Sequence, residues 1–443
     1  MSRIRAALTL PLALCLLLGA GAASRAEADP GPGTRPPDLL VASDFPDPDV
    51  IEVDGTYHAY STSSGGKGVV PHATAPSPEG PWTVQQDVFT TEPWPAWIRT
   101  THGFWAPDVS QRRDGTFLLY FTARNDLNGR MCLGAATASS PDGPFVPRDE
   151  PLVCRPEEGG NIDASSFVDD NGATYLLYKN DGNAVRQPSV LWLQRTDAAG
   201  TRLVGQRREL LRNDRASDDG VIEAPTLVRR GDRYVLLFSA GVYSTGNYHT
   251  GYATAGRIQG PYERAYRPLL TTSSLDGAVD GPGGQDVVGD HLIFHGHLAA
   301  GGRGMYRAAL GWDGDRPVVS GSRDRTEAEH GRLQDAVVRQ AVDSASGDAV
   351  VGKIDHDTSH VELDVVAPET GSYTVWVRYA AGAGDATHVL TVNGADPVTV
   401  SYPARGWSVW SQVAVEVTLR EGTNTIRLQH GTRYAELDFI EVA

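Results

Sequence analysis

GTYHAYST (55–62) is the first of five similar stretches in this chain. The others are GTFLLYFTA (115–123), ATYLLYKN (173–180), DRYVLLFSA (232–240) and DHLIFHGH (290–297). Their first large residues follow one another at intervals of 58 to 60 residues. A Gly-Pro turn before a short strand recurs in step, in EGPWTV (79–84), DGPFVP (142–147) and QGPYER (259–264). Such apolar runs bounded by turn residues are typical of β-strands. The chain therefore contains a repeat of β-strands.

A repeat of this length, with several short strands and no convincing helix, predicts one four-stranded sheet per unit. Repeated sheets arranged around an axis form a β-propeller. An open β-sandwich is the structural alternative, but it gives no reason for a fixed period. We therefore predict an all-β chain whose residues 39–320 form a five-bladed β-propeller.

An acidic residue precedes the aromatic strand in each of the first four units. The motifs PDPDV, WAPDV, NIDASSF and VIEAPTL contain Asp47, Asp108, Asp163 and Glu223. The innermost strand of every blade lines the axis, so acids at the starts of these strands should converge at one mouth of the channel. Converging carboxylates could bind a cation, form a solvated rim or perform acid–base chemistry, in which neighbouring charges keep one carboxyl protonated.

The ordered motifs FPDPDV, WAPDV and VIEAPTLV resemble those of glycoside hydrolase family 43. The resemblance covers residues 39 to about 320 and implies a five-bladed propeller that hydrolyses arabinose- or xylose-containing polysaccharides, or galactans, with inversion. It implies Asp47 as general base, Glu223 as general acid and Asp108 as the residue that orients the acid and modulates its pKa. Asp49 is the rival base, although it more readily ties down the turn. No cofactor is expected for catalysis.

Blade five departs from the family pattern, which often has a histidine after Gly-Pro-Gly. This chain has Gly284 at that place, and Gln285 is a possible substitute. The resemblance also implies that His295 approaches an axial ion or water, while a purely structural histidine is the alternative. We expect Asp163, Gln285 and His295 to contribute to substrate binding.

Three tryptophans in TTEPWPAWIRTTHGFW (90–105) are candidates for stacking on sugar rings, whose C–H faces suit exposed indoles. Trp94 and Trp97, in a proline-containing loop, are the preferred candidates. Trp105 is a third candidate, with core packing as its alternative.

After Trp312 the period stops, and residues 321–325 are predicted to link the propeller to a β-sandwich (jelly-roll) module at 326–443. GSYTVWVRYA, VNG, EGTNTIRL and LDFIEV in this region resemble carbohydrate-binding modules of families 35 and 6. The resemblance implies that Glu327, Glu329 and Asp438 hold a structural calcium ion, which carboxylate oxygens suit. Tyr402 and Trp407 are the candidate ligand contacts, and Trp410 is expected in the core.

Residues 1–28 read as a secretory signal peptide, with arginines, an apolar run and an AEA cleavage site, followed by a linker at 29–38. We therefore expect a secreted, extracellular protein. Export permits a disulfide between Cys132 and Cys154, which bracket two predicted strands around a turn, with two buried free thiols as the alternative. The net charge of −16 does not suggest nucleic acid or an anionic membrane as partner, and we expect a monomer.

The sequence thus predicts an inverting glycoside hydrolase that acts on plant cell-wall polysaccharide. The preferred linkage is α-L-arabinofuranosyl, in arabinan or arabinoxylan. A β-xylosidase or β-galactan hydrolase is the nearest alternative. A non-catalytic sugar-binding propeller is less consistent with three expected carboxylates, and a retaining sucrose- or fructan-acting enzyme would need an Asn-Asp-Pro motif that is not seen here.

Overall fold

A computed structural model describes residues 36–64, 68–91, 93–99 and 103–443. The predicted signal peptide and most of the predicted linker at 29–38 lie outside the described residues. Each of the five repeated stretches forms the second strand of its own antiparallel sheet. These strands are Thr56–Tyr60, Phe117–Arg124, Thr174–Asn180, Arg233–Ala240 and His291–His297.

The other strands complete five blades, numbered here in chain order. Blade 1 adds Asp49–Val53, His72–Ala75 and Thr83–Val84. Blade 2 adds Trp105–Gln111, Met131–Ala138 and Val146–Pro147. Blade 3 adds Asn161–Val168, Val190–Thr196 and Leu203–Arg212. Blade 4 adds Ile222–Arg230, His249–Ala255 and Glu263–Arg264. Blade 5 adds Asp280–Val288, Arg303–Asp313, Arg316–Val319 and Asp38–Val41. The predicted five-bladed propeller is confirmed.

The ring closes through the first strand of the chain. Asp38–Val41 pairs antiparallel with Arg303–Asp313, so that Leu39 lies opposite Tyr306. Blade 5 is therefore built from both ends of the propeller sequence, and pairing covers an edge that would otherwise be open.

The second strands are apolar on both faces because each blade packs between two others. In Phe117–Arg124, every residue up to Ala123 is buried. The usual alternation of apolar and polar residues is lost in such a strand, as expected for a sheet covered on both sides. Cys132, in the third strand of blade 2, forms a disulfide with Cys154.

Two further sheets form a C-terminal sandwich. One contains Asp324–Glu327, Val337–Gln340, Ala349–Gly352, Gly371–Ala381, Gly406–Leu419 and Glu436–Val442. The other contains Arg332–Gln334, His360–Ala367, Ala386–Val392, Ala395–Tyr402 and Gly422–Thr432. Fully buried Val375, Val377, Leu390 and Ile426 belong to the core between them. Asp324–Glu327 pairs with Glu436–Val442, so the sandwich begins two residues before its predicted start at 326.

Helical structure in the described residues is limited to short 3₁₀ turns. They span Pro156–Glu158, Gly182–Val185, Ala216–Asp218, Ala328–His330 and Ser346–Asp348. None of the helices described is long and apolar enough to cross a membrane.

Candidate active site

Each blade carries a residue with left-handed backbone at the same place of its repeat, within the inner strand or two residues before it. These residues are Asp47, Ala106, Asp163, Ala224 and Gly284, with φ between 41° and 57°. In blades 2 to 5 the strand pairing shifts register around this residue, as at a β-bulge. Left-handed backbone is uncommon for residues other than glycine. The bulge turns the start of each inner strand towards the axis.

A small axial cavity of about 40 Å³ lies where the five blades meet, and three consecutive residues from each blade line it. The left-handed residue is the first of the three. The left-handed residue is an aspartate in blade 1 (Asp47) and in blade 3 (Asp163). In blades 2 and 4 it is an alanine, and the residue directly before that alanine is Trp105 and Glu223, respectively. Carboxylates that are far apart in sequence therefore meet at one mouth of the propeller.

Asp47 is held by Arg303, Thr62 and His295. Its Oδ1 is 3.1 Å from the Arg303 guanidinium, and its Oδ2 accepts a 2.5 Å hydrogen bond from the Thr62 hydroxyl. Nδ1 of His295 accepts the backbone N–H of Asp47 at 3.1 Å and lies equally far from Oδ1. Burial alone would raise the pKa of Asp47, but the Arg303 charge and the contacts with His295 and Thr62 hold it well below its usual range. Asp47 is therefore ionised throughout the neutral and mildly acidic range.

Glu223 has different partners. Its Oε2 accepts a 2.9 Å hydrogen bond from the fully buried ammonium group of Lys179, and its Oε1 accepts one of 2.9 Å from the Tyr248 hydroxyl. The Tyr248 ring stacks on His295, with ring centroids 5.7 Å apart. Because His295 also contacts Asp47, a chain of contacts runs from Asp47 through the two rings to Glu223. The two carboxylates share a site without touching.

Asp163 interacts electrostatically with both Asp47 and Glu223. Its Oδ2 accepts a 3.0 Å hydrogen bond from the backbone N–H of Ala224, the residue after Glu223. Burial and the negative charges of Glu223 and Asp47 raise the pKa of Asp163 to about 7, although Lys179 opposes the shift. Asp47, Asp163 and Glu223 thus form one coupled group of carboxylates.

Asp108 is not part of this group. It stands two residues after the left-handed residue of its blade, the same place that Asp49 has in blade 1 and Asp286 in blade 5. Each of these three carboxylates accepts a backbone hydrogen bond from the next blade in the ring: Asp49 from Val109, Asp108 from Ser166 and Asp286 from Val50, at 2.8 to 2.9 Å.

The predicted role of Asp108 beside the acid therefore does not fit the structure. The WAPDV motif places its aspartate at the position that joins blades, whereas Asp163 occupies the place next to Glu223. Asp49, the rival base, likewise joins blade 1 to blade 2.

Comparison with known proteins agrees with this geometry. The family model described as glycosyl hydrolases family 43 matches residues 39–306, more than half of the chain. The chain belongs to glycosyl hydrolase family 43. Residues 324–443 match the model of carbohydrate binding module family 35, one of the two module families that the sequence suggested.

Similar proteins include an extracellular endo-α-(1→5)-L-arabinanase of Bacillus subtilis. It is 29% identical over 238 residues, which cover 49% of this chain and 69% of that protein. A β-D-galactofuranosidase of Aspergillus niger is 27% identical over 232 residues, which cover 48% of this chain and 62% of that protein. A crystal structure of a thermostable family-43 glycoside hydrolase superposes with a TM-score of 0.55 at 23% identity, covering 62% of this chain and 92% of that one. The structural similarity shows the shared fold.

The tryptophans of this family 43 chain differ from the expectation. Trp97 was predicted to face the substrate, but only 3% of it is exposed and its ring stacks on Phe121. Trp94 is half-buried and packs edge-on against Phe104. Trp105, by contrast, is 38% exposed at the mouth. Trp105 is therefore the tryptophan of this segment that can meet a sugar ring.

The two blade-five candidates serve different purposes. The buried Gln285 side chain donates to the Ala224 carbonyl at 2.7 Å and accepts from the Ser239 hydroxyl at 2.9 Å, so its amide joins blades 4 and 5 and is not free for substrate. His295 holds Asp47, while its buried Nε2 has no hydrogen-bond partner among the described residues. A Cβ atom at position 284 would lie 2.4 Å from His295 Nδ1. Gly284 therefore replaces the family's histidine because His295 fills that space.

Four residues of the mouth were not predicted: Thr62, Lys179, Tyr248 and Arg303. Lys179 gave a usable signal, because a lysine inside the apolar stretch ATYLLYKN is costly to bury without a partner. Thr62, Tyr248 and Arg303 gave none, since residues of these types are common in strands and loops.

In the module, one of the two predicted ligand contacts is buried and the other is exposed. Tyr402 is fully buried, with its ring centroid 4.7 Å from that of Tyr379, so its predicted contact with ligand is wrong. Trp407 is 38% exposed and stacks on Tyr434, which is 39% exposed, with centroids 5.3 Å apart. Trp410, expected in the core, is only half-buried. The exposed pair Trp407–Tyr434 is the module's candidate sugar platform.

The three carboxylates predicted to hold calcium do lie near one another. Ser346 donates its hydroxyl to Glu327 at 2.7 Å and its backbone N–H to Asp438 at 2.8 Å. Burial and the charges of Glu327 and Glu329 raise the pKa of Asp438 to about 6, although Ser346 and Arg378 oppose the shift. One buried oxygen each of Glu327 and Glu329 has no partner within the described part of the chain. These unpartnered oxygens fit a hard cation, while Arg378 occupies one oxygen of Asp438.

The axial carboxylates predict a dependence of stability on pH. Burial raises the pKa of Asp108 to about 6, above its value of about 4 in the unfolded chain. The folded state therefore retains a proton that the unfolded state has lost, and the free energy of unfolding falls as pH rises from 4 through 6. Asp108→Asn removes this penalty and keeps an oxygen for the Ser166 N–H. We expect the variant's stability relative to wild type to be about 2 kcal/mol higher at pH 8 than at pH 4 in urea unfolding.

Asp149→Asn, at an exposed site of the same blade, is the matched control and should show no such difference. A relative stability of Asp108→Asn that is independent of pH would mean that Asp108 has the same pKa in the folded and the unfolded chain, contrary to this account.

Proposed function

We propose that this protein is a secreted, inverting glycoside hydrolase that cleaves α-L-arabinofuranosyl linkages in plant polysaccharide. The observation that carries the proposal is the coupled group Asp47, Asp163 and Glu223 at one mouth of a family 43 propeller. A non-catalytic sugar-binding propeller would have no need for three interacting carboxylates with such different partners.

Asp47 is the general base. It is ionised because Arg303, His295 and Thr62 favour its charged form. The same contacts fix its orientation, so that a free lone pair can accept a proton from the attacking water. An ionised carboxylate with three fixed partners suits this role better than Asp163, which burial and its neighbours favour in the neutral form.

Glu223 is the general acid. Lys179 and Tyr248 fix its two oxygens. General-acid catalysis requires a proton on Glu223 before reaction, and the carboxyl group beside it is that of Asp163, which accepts a hydrogen bond from the N–H of the next residue, Ala224. Asp163, which the sequence suggested only as a substrate contact, thus takes over the modulating role first expected of Asp108.

Inversion requires a water molecule between the base and the sugar, with carboxyl groups roughly 6.5–9.5 Å apart, against about 5–5.5 Å for retention. The wider spacing is supported by the partners of the two carboxylates: Asp47 and Glu223 are connected only through the His295 and Tyr248 rings, which stack on each other, among the contacts of the described residues. Net reaction is hydrolysis: water adds to the anomeric carbon as its proton passes to Asp47, and the leaving oxygen takes the proton of Glu223.

Two observations support arabinose as the sugar. An extracellular arabinanase is among the relatives, which also supports export and the reading of residues 1–28 as a leader. The exposed Trp105 offers an apolar face beside the mouth. β-Xylosides and β-galactans are the alternative substrates that a test must include.

The roles predict three distinct kinetic defects. Asp47→Asn should lower kcat/KM on every substrate by about 10³-fold or more, because no group replaces the base. Glu223→Gln should lower it by about 10²–10⁴-fold on arabinan but far less on an aryl arabinofuranoside, whose leaving group needs little protonation. Asp163→Asn should also move the alkaline limb of the pH–rate profile to lower pH. Initial rates measured from pH 4 to 9 on both substrates check all three.

Asp108→Asn is the matched control for Asp163→Asn and should leave the pH–rate profile in place. Equal profiles for the two variants would overturn the assignment of Asp163. Release of xylose or galactose, but no arabinose, from a panel of arabinan, arabinoxylan, xylan and galactan would overturn the sugar and leave the three roles standing.

The C-terminal module is proposed to hold the enzyme on its polymer through Trp407 and Tyr434. Glu327 and Glu329 would bind a structural calcium ion. Asp438 would be a third ligand if its ion pair with Arg378 opened. Trp407→Ala should weaken adsorption to insoluble polysaccharide about tenfold, the equivalent of ~1.4 kcal/mol of lost stacking. Activity on a soluble aryl glycoside should not change, because the propeller carries the catalytic group. Depletion binding assays measure the adsorption.

Tyr266→Ala removes an aromatic ring that is 91% exposed on the propeller, and it serves as the control. If Trp407→Ala adsorbs as wild type does while Tyr266→Ala does not, the binding surface lies on the propeller and not on the module.

A further inference from the structure

A cluster of two histidines and an aspartate joins blade 1 to blade 2 outside the group of catalytic carboxylates. Nδ1 of His58 and Nε2 of His72 lie 3.1 Å apart, and Oδ1 of Asp142 is 3.7 Å from His58 Nδ1. All three atoms lie within 4.8 Å of one another. His58 is 5% and His72 1% exposed, while the Asp142 side chain is open to solvent.

The cluster is held in place from both blades. His58 and His72 occupy neighbouring strands of blade 1, and their rings stack with centroids 5.3 Å apart. The Tyr60 ring stacks on His72. The Tyr60 hydroxyl donates a hydrogen bond to the carbonyl of Pro141, the residue before Asp142. The turn that carries Asp142 is therefore fastened to the strand that carries His58.

The backbone fastens the same turn a second time. Phe145 N–H donates to the Val88 carbonyl of blade 1 at 2.8 Å. A Cβ atom at Gly143 would lie 2.2 Å from that carbonyl oxygen, so the close approach requires glycine. The Asp142 side chain is exposed, and its Oδ1 has to move little from its 3.7 Å distance to bind an ion together with the histidines.

We propose that His58, His72 and Asp142 bind a divalent transition-metal ion, Zn²⁺ by preference, which clamps blade 1 to blade 2. Two nitrogens at 2.0–2.1 Å from a tetrahedral ion lie about 3.3–3.4 Å apart, close to the distance between the two histidine nitrogens. A carboxylate oxygen completes three protein ligands and leaves a fourth position open to water. Both rings bind the ion in their neutral form, so the proton that lies between Nδ1 of His58 and Nε2 of His72 moves to the other nitrogen of its own ring, and no bond between heavy atoms changes.

The donor set distinguishes this ion from calcium. Imidazole nitrogens favour Zn²⁺ and its neighbours in the transition series, whereas Ca²⁺ and Mg²⁺ prefer oxygen ligands. The cluster is also separate from the carboxylates Glu327, Glu329 and Asp438 of the module. Zinc and calcium would therefore bind at different places on the same chain, and each can be saturated independently.

The test uses the full-length enzyme, purified without a histidine tag, treated with chelator and then supplied with excess Ca²⁺. Isothermal titration with Zn²⁺ should give one site per chain. Saturating Zn²⁺, at about 100 times the Kd, should raise the propeller's Tm by about 5 °C. Co²⁺ in place of Zn²⁺ should give the visible absorption of a four-coordinate ion. Hydrolysis of an aryl glycoside should be the same with and without Zn²⁺.

Asp142→Asn is the decisive variant, because its side chain is exposed and its loss should not prevent folding. It should weaken Zn²⁺ binding at least about tenfold, since loss of an outer-shell partner alone costs 10–100-fold. His72→Gln should abolish it. His356→Gln, at an exposed histidine of the module, is the control and should bind as wild type does. Absence of a site, or Zn²⁺ binding and a Tm shift that survive both Asp142→Asn and His72→Gln, would overturn the proposal.

Discussion

The left-handed residue at the start of each inner strand is the constraint on which the site depends. One such residue occurs in every blade, at the same place in the repeat. From this residue onward, three consecutive residues of each blade line the axis. The conformation is costly for Asp and Ala, and it is retained in five successive blades. Backbone geometry, repeated five times, thus brings residues separated by more than 170 positions to one mouth.

The same repeat supplies carboxylates for two different tasks. Two positions beyond the left-handed residue, Asp49, Asp108 and Asp286 each accept a backbone N–H from the following blade and so join the ring. At the left-handed residue itself and just before it, Asp47, Asp163 and Glu223 face the mouth. A shift of one or two residues within a short motif therefore separates a structural carboxylate from a catalytic one. The environments then diverge. Asp47 has Arg303, His295 and Thr62 as partners, whereas Glu223 accepts one hydrogen bond from Lys179 and one from Tyr248.

The sequence was sufficient for the architecture because the repeat is regular. The period, the apolar second strands and the Gly-Pro turns predict five four-stranded sheets, and the change of rhythm after Trp312 predicts a separate module. Asp47 and Glu223 were also within reach, as acids in motifs at corresponding places. From the sequence, the modulating role was assigned to Asp108, whereas the structure places Asp163 beside Glu223. The difference arises because the position of each aspartate relative to the bulge depends on backbone torsions, which the motifs WAPD and NIDAS do not reveal.

The sequence also did not predict which individual aromatic side chains are buried. Trp97 and Tyr402 sit in loops or strand ends that read as exposed, yet long-range packing covers them with Phe121 and Tyr379. Such contacts join residues more than 20 positions apart and follow no local pattern. Arg303, Tyr248 and Thr62 escaped notice for the same reason, since their importance arises only from what they touch.

The central claim is that Asp47 and Glu223 act on opposite sides of one sugar with a water molecule between base and anomeric carbon. A proton NMR time course of hydrolysis, recorded faster than the released sugar mutarotates, tests it most directly. For an α-L-arabinofuranoside substrate the account predicts that the β-anomer appears first and the α-anomer only later, by mutarotation. First appearance of the α-anomer would show retention and would contradict the account.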